Sequence, residues 1–256
     1  MRYSRQGSWR GRTTADAQHV LRTLNCGRRR AGGWTWGTGR GRLQRITRRR
    51  REPEASDVFA GDRFAAEAAY AGSIVRLAVG DIAGSIEAIE QSLQIKPDYA
   101  PAILSLGSVE YQRGRRADGK RLFMSLLSLP DDTDDLAEII DEAGTFLIQS
   151  RQYADGLDLY RAAANRFPEE VELHSGVGCC AGHLVLFDET VSAGEQAVRL
   201  KPEDATCASD LGWSLFEAGR YQEARGVLER AAALDPSNEL AQENLRHCRE
   251  TVAGAD

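Results

Sequence analysis

Residues 205–236, ATCASDLGWSLFEAGRYQEARGVLERAAALDP, decide the fold. In the first half Ala208, Leu211-Gly212 and Leu215 recur three and four residues apart; in the second half Ala224, Leu228 and Ala231 do the same after Tyr221. That spacing puts the apolar side chains on one stripe of a helix, so the stretch reads as two amphipathic helices. Gly219-Arg220 breaks them apart. Pro236 ends the second, because proline lacks an amide donor and its ring clashes with the preceding turn. Gly212 and Ala224 are small enough for the paired helices to approach closely, while Leu211, Leu215 and Leu228 fill the space beside them.

The same punctuation recurs upstream at a fixed step. Pro168, Pro202 and Pro236 are separated by 34 residues, as are Gly144, Gly178 and Gly212. A period of this length marks a helical repeat array, because one helix hairpin cannot bury its own apolar face and must stack on copies of itself. The hairpin ending at Pro202 carries His174, Val177-Gly178, Ala181, Thr190, Gly194 and Ala197; the one before it carries Ile140, Ala143-Gly144, Leu147, Gly156, Tyr160, Ala163 and Pro168. Earlier still come Ile103, Leu106-Gly107, Gly119, Phe123, Leu126 and Pro130. The first hairpin keeps mainly its second helix, Gly80-Asp81 through Ile86, Ile89, Leu93 and Pro97.

Five hairpins result. Gly107 to Gly144 spans 37 residues, three more than the period, which places one insertion at Pro130–Asp135. This acidic loop is expected to cap the next helix with negative charge. Asn238–Glu250 reads as a lone terminal helix with Leu240, Ala241 and Leu245 on its inner side, the polar-faced end cap that an array requires.

These residues resemble the tetratricopeptide repeat, whose pattern is W-x2-L-G-x2-Y, then A-x3-F, then P. The resemblance covers about residues 66–250. It implies an all-α solenoid of about five helix pairs with a C-terminal capping helix. It also implies that the first helix of each pair lines a concave groove that binds a partner peptide or protein. Carried over by register, that groove holds Tyr70, Ile74, Leu104, Tyr111, Glu138, Asp141, Thr145, Cys179, His183, Trp213 and Phe216. Its wall is apolar with acid in the middle. A subgroup of the family clamps the terminal carboxylate of chaperone tails with Lys, Asn and Arg; the corresponding places here hold Tyr70, Ile74, Ser105, Glu138 and Glu142, which disfavours co-chaperone work. Trp213 has two readings: an anchor for the partner, or packing on the fourth hairpin, where Gly178 and Gly182 leave room.

The net charge of −5 conceals two oppositely charged parts. Residues 1–52 hold fifteen Arg against Asp16 and Glu52, a balance of +13, so the remainder is −18. Residues 1–57 are expected to be a disordered Arg/Gly-rich segment and residues 58–256 the folded domain. The basic segment has four open readings. It is a start codon placed too far upstream, a transit peptide, an arm lying on its own acidic repeats, or a nucleic-acid-binding arm with Trp9, Trp34 and Trp36 among the arginines. In the last reading nucleic acid is contacted through residues 1–52 alone. No apolar run reaches the length of a membrane span, so the expected location is cytoplasmic with no membrane partner.

Nothing in the sequence points to chemistry. Cys26, Cys179, Cys180, Cys207 and Cys248 are odd in number without a CxxC pair, which fits reduced thiols. Cys179 and His183 share a helical face near His174, yet all three occupy ordinary repeat positions, so no metal is expected. The run Gly176–Gly182 lacks the strand that a dinucleotide-binding loop follows, and no cofactor is expected. No catalytic motif is present, and the chain is read as a non-enzymatic adaptor. Gly176, Gly182 and Gly194 inside helices each cost roughly 0.5–1 kcal/mol relative to alanine, which makes the fourth hairpin the soft one.

Overall fold

The computed structural model describes residues 57–253 and a two-residue strand pair, Arg29–Arg30 with Gly33–Trp34. The remainder of residues 1–56, including most of the segment expected to be disordered, lies outside the described residues. Apart from that strand pair, every regular element among the described residues is helical. In chain order these are α1 (Asp57–Ala78), α2 (Ile82–Ile95), α3 (Ala100–Gln112), α4 (Arg116–Ser125), a 3-10 turn (Leu126–Ser128), α5 (Leu136–Gln149) and α6 (Tyr153–Arg166). They continue with α7 (Val171–His183), α8 (Phe187–Leu200), α9 (Ala205–Glu217), α10 (Tyr221–Leu234) and α11 (Glu239–Ala253). The described helices form two compact units that divide within α4, the first ending at Leu122 and the second starting at Phe123.

The turn inside each hairpin shows how the period is written into the backbone. Gly80, Gly114 and Gly219 sit there with φ of 84°, 78° and 76°, the left-handed conformation that glycine adopts without penalty. The two intervening hairpins place Arg151 (φ 57°) and Val185 (φ 61°) at the same point of the register. Each such residue closes the helix before it. After α9, Arg220 N–H donates to Leu215 O at 2.9 Å and Gly219 N–H to Phe216 O at 3.0 Å, satisfying carbonyls the helix end would otherwise leave bare.

In the first unit α1 is a 22-residue helix that starts nine residues upstream of Ala66. The repeat pattern hides it because Gly72-Ser73 replaces the Leu-Gly pair; alanines at 60, 65, 66, 68, 69 and 71 supply helix propensity instead. Asp81 caps α2 by accepting from Gly84 N–H at 2.9 Å, and Ser92 Oγ, fully buried, donates to Ala66 O at 2.9 Å to tie α2 back to α1.

In the second unit small residues set the helix separations. A Cβ on Gly212 would lie 2.6 Å from Leu228 Cγ, and one on Gly144 would lie 2.2 Å from the Tyr160 ring. Gly176, on the following hairpin, meets the other side of the same ring at 2.3 Å. Tyr160 is therefore threaded between glycines of two hairpins, and Gly176 is a requirement of packing rather than only a soft spot. Gly178 and Gly182 are different, since a Cβ at either would meet nothing closer than 3.7 Å.

Two further expectations change. The acidic loop does not cap α5 through Asp135, which is left-handed (φ 55°) and makes no side-chain cap hydrogen bond. Asp131 instead accepts from Arg166 Nε at 3.2 Å, while Arg166 Nη1 donates to Leu127 O at 2.7 Å, so the inserted loop is pinned from α6. On α11 the buried stripe is Ala241, Asn244, Leu245, Cys248 and Val252, whereas Leu240 is 55% exposed. Leu240 falls one residue outside a stripe whose steps are three and four. Asn238 Oδ1 caps this helix from the Ala241 amide at 3.1 Å.

Candidate partner-binding face

The candidate residues fall in both units, and each unit groups its own. In the first unit Tyr70 OH lies 3.0 Å from Ser105 Oγ, and its ring stands edge-on to Tyr99 with centroids 5.6 Å apart. Ile74 is half exposed. Leu104 is buried at 8% exposure and offers a partner almost no surface. Tyr111 packs over Gly119, where a Cβ would lie 2.5 Å from its ring.

In the second unit Asp141 and Thr145 converge on Tyr160. The Tyr160 hydroxyl donates to Asp141 Oδ1 at 3.0 Å and stands 3.4 Å from Thr145 Oγ1. Burial pushes the Asp141 carboxyl up to about 6; the Tyr160 hydrogen bond opposes this, while Glu172, Glu142 and Glu138 add to it. Burial also drives the Tyr160 hydroxyl well above its ordinary value. Glu138 is exposed beside this pair. Cys179 is exposed, and the His183 ring stacks on Tyr153 at 4.0 Å. His174 Nε2 is 2.9 Å from Pro168 O.

Trp213 and Phe216 stack at 5.1 Å with an interplanar angle of 25°. Their other ring partners lie toward the C-terminus rather than on the fourth hairpin. His247 on α11 sits 6.0 Å from Trp213 and 5.2 Å from Phe216, and Tyr221 sits 5.3 Å from Phe216. Both Trp213 and Phe216 remain partly exposed, whereas Leu211 and Leu215 on the same helix are buried. The spacing from Trp213 to His247 is one period, 34 residues, so their contact shows equivalent positions of successive first helices standing side by side. Stepping back from Trp213 by the same period gives Cys179 and then Thr145.

His247 and Tyr221 were not among the expected site residues, although the period alone would have found His247. The burial of Cys180 and Cys207 pushes their thiols up to about 12 and about 11, so both stay protonated near neutrality. No group of three potential metal ligands occurs among the described residues, and no described helix is long and apolar enough to cross a membrane. Most of residues 1–52, and with them the arm proposed for nucleic acid, lie outside the described residues.

Residues 205–238 match the family model for the tetratricopeptide repeat. The chain is 26% identical over 119 residues to the small glutamine-rich tetratricopeptide repeat-containing protein 2 of Mycosarcoma maydis, a match covering 46% of this chain and 34% of that protein. It is 23% identical over 188 residues to protein FlbA of Caulobacter vibrioides, covering 70% of this chain and 30% of that one. The chain thus spans about a third of the length of these curated relatives. Among solved structures, the MamA protein superposes with a TM-score of 0.51 at 18% identity, covering 67% of this chain and 92% of that one, which is a likeness of fold. Residues 205–238 of this chain are thus a tetratricopeptide repeat, and the hairpins before them share its period and its in-register glycines.

Proposed function

We propose that the chain is a non-enzymatic protein-interaction adaptor that binds a partner peptide on the row of first helices. The observation that carries this reading is an aromatic group in which Trp213 and Phe216 are partly buried and His247 is exposed. Phe216 packs from the edge against the core cluster that holds Leu211, Leu215 and Leu228, and Trp213 stacks on its outer side. Large aromatics that keep part of their surface in reach of a partner are residues on which binding energy concentrates. Along the same register Glu138, Asp141 and Glu172 supply negative charge, which favours Lys or Arg in the partner and acts on association rate and salt dependence more than on affinity.

The test is capture of a partner by the full chain, followed by titration calorimetry. Trp213→Ala is expected to weaken binding by about 2 kcal/mol or more while leaving the melting temperature nearly unchanged. A large loss of stability with unchanged affinity would assign Trp213 to the core and remove the main support for the reading. Binding that survives Trp213→Ala but disappears on deletion of residues 1–52 would move the function to the basic arm.

A further inference from the structure

The stacking register identifies which face of a first helix meets the hairpin before it. On α9, Cys207 packs in a buried cluster with Val171 and Ala197 of the preceding hairpin, and Leu211 lies 3.1 Å from where a Cβ on Gly194 would stand. Carried back through the period and the single insertion, Cys207 and Leu211 correspond to Ala68 and Gly72 on α1. The side of α1 that carries Ala68 and Gly72 is therefore the stacking side. There Phe64 is 69% exposed, Val75 64% and Val79 77%, with Ala68 exposed between them. The positions 64, 68, 75 and 79 step by four, seven and four, so they form one continuous apolar stripe. The nearby charges are engaged elsewhere: Arg63 Nε pairs with Glu67 at 2.9 Å, and Arg76 Nη1 donates to Gly84 O at 2.9 Å.

The last helix is finished differently. Beyond its buried stripe, α11 exposes Gln242, Glu243, Arg246, Arg249 and Glu250, with Arg246 bridging Glu243 and Glu250. A terminal repeat with a polar outer face is what an array needs to stay soluble, and of the first and last described helices α11 has one and α1 does not. Exposed apolar stripes of this kind mark interaction surfaces. The faces of α11 and α1 do not match each other, because packing one on the other would press the charges of α11 onto the apolar stripe of α1 and strand them away from water. The stripe is complementary to a second copy of itself, apolar against apolar, and Ala68 and Gly72 at its centre leave room for close helix approach.

We propose that a second copy of this chain covers the stripe, the two α1 helices packing on each other in a closed, symmetric dimer. Sedimentation velocity of the full chain over a wide concentration range tests it. The full chain is expected to reach dimer mass. The double variant Phe64→Asp/Val75→Asp is expected to be a monomer, its dimer dissociation constant raised at least about tenfold with an unchanged helical circular dichroism signal. Leu240→Asp on α11 should leave the dimer intact. Where the double variant loses helical signal, oxidative cross-linking decides instead: Val75→Cys should give a covalent dimer above the background of the native thiols and Leu240→Cys should not. A monomer at every concentration, or a dimer indifferent to both changes on α1, overturns the proposal. So does a full-length monomer that dimerises only when residues 1–56 are removed, since the chain's own arm would then be the occupant.

Discussion

Replacing Asp141 by Asn should stabilise the protein near neutral pH and do nothing in acid. Asp141 is held with its carboxyl raised from 3.8 to about 6, chiefly by burial, with Glu172, Glu142 and Glu138 adding to it. A raised carboxyl means that the folded state holds its proton more tightly than the unfolded state does. Below the ordinary carboxylate range both states are protonated and the site costs nothing. As pH rises through that range toward 6, the unfolded chain ionises first and the folded state loses ground; above 6 the loss is complete. A shift of that size corresponds to about 3 kcal/mol at most. Asp141 keeps partial contact with water, so screening brings the expected penalty to about 1–2 kcal/mol. Asparagine reproduces the neutral form at every pH, and its amide oxygen still accepts the Tyr160 hydroxyl that now lies 3.0 Å from Oδ1. Urea unfolding at neutrality and at a pH below 3.8 should therefore show Asp141→Asn more stable by about 1–2 kcal/mol in the first and equal to the parent in the second, with an unchanged slope. An equal effect at both pH values, or destabilisation at neutrality, would refute the reasoning, because neither follows from a buried ionised carboxylate.

The other expectations concern the fourth hairpin. Gly178→Ala should stabilise by up to about 1 kcal/mol, since helical propensity improves and the new Cβ comes no closer than 3.7 Å to anything. Gly176→Ala, two residues away, should instead destabilise by roughly 1–3 kcal/mol through overpacking, because its Cβ would stand 2.3 Å from the Tyr160 ring; thermal melts of the two variants separate the cases. Val185→Gly should stabilise by about 1 kcal/mol by releasing a β-branched residue from the left-handed region, where it sits at φ 61° with 64% of its surface exposed. Hydrogen exchange across Val171–Ala197 should run faster in the parent than across Ala205–Leu234 and should slow in that variant, and equal protection of the two segments would show that neighbouring hairpins compensate fully.

The hairpins were legible because their signals are local. Leu211-Gly212, Leu215, Ala224 and Leu228 lie within one period of one another, and the period itself marks the turn at Gly219 and the stop at Pro236. What was not legible depends on contacts between periods or on the identity of a neighbour. The first helix escaped the pattern because alanine propensity rather than repeat residues builds it. Leu240 was misplaced because a helix stripe three or four residues wide is decided by which side the previous hairpin occupies, and residues 239–250 alone leave that open by one position.

Tyr160 shows why the site was harder to read than the fold. By register it stands where Leu228 stands two periods later, so in sequence it is only a larger filler of the same slot. Its extra length carries the ring past Gly144 on its own hairpin to Gly176 on the next, and its hydroxyl to Asp141. A glycine that costs the helix stability when read alone thus becomes the receptor of a ring from elsewhere. The acid that was expected to face a partner is at once half withdrawn into the packing and raised in pKa. Such an arrangement is unfavourable for stability near neutrality and is kept by proteins where a charge has work to do. If the adaptor reading holds, Asp141→Asn should separate the two demands, gaining stability near neutrality while slowing association with a basic partner and flattening its salt dependence. Gained stability together with an unchanged association rate would leave Asp141 a packing residue and place the charge preference on Glu138 and Glu172 alone.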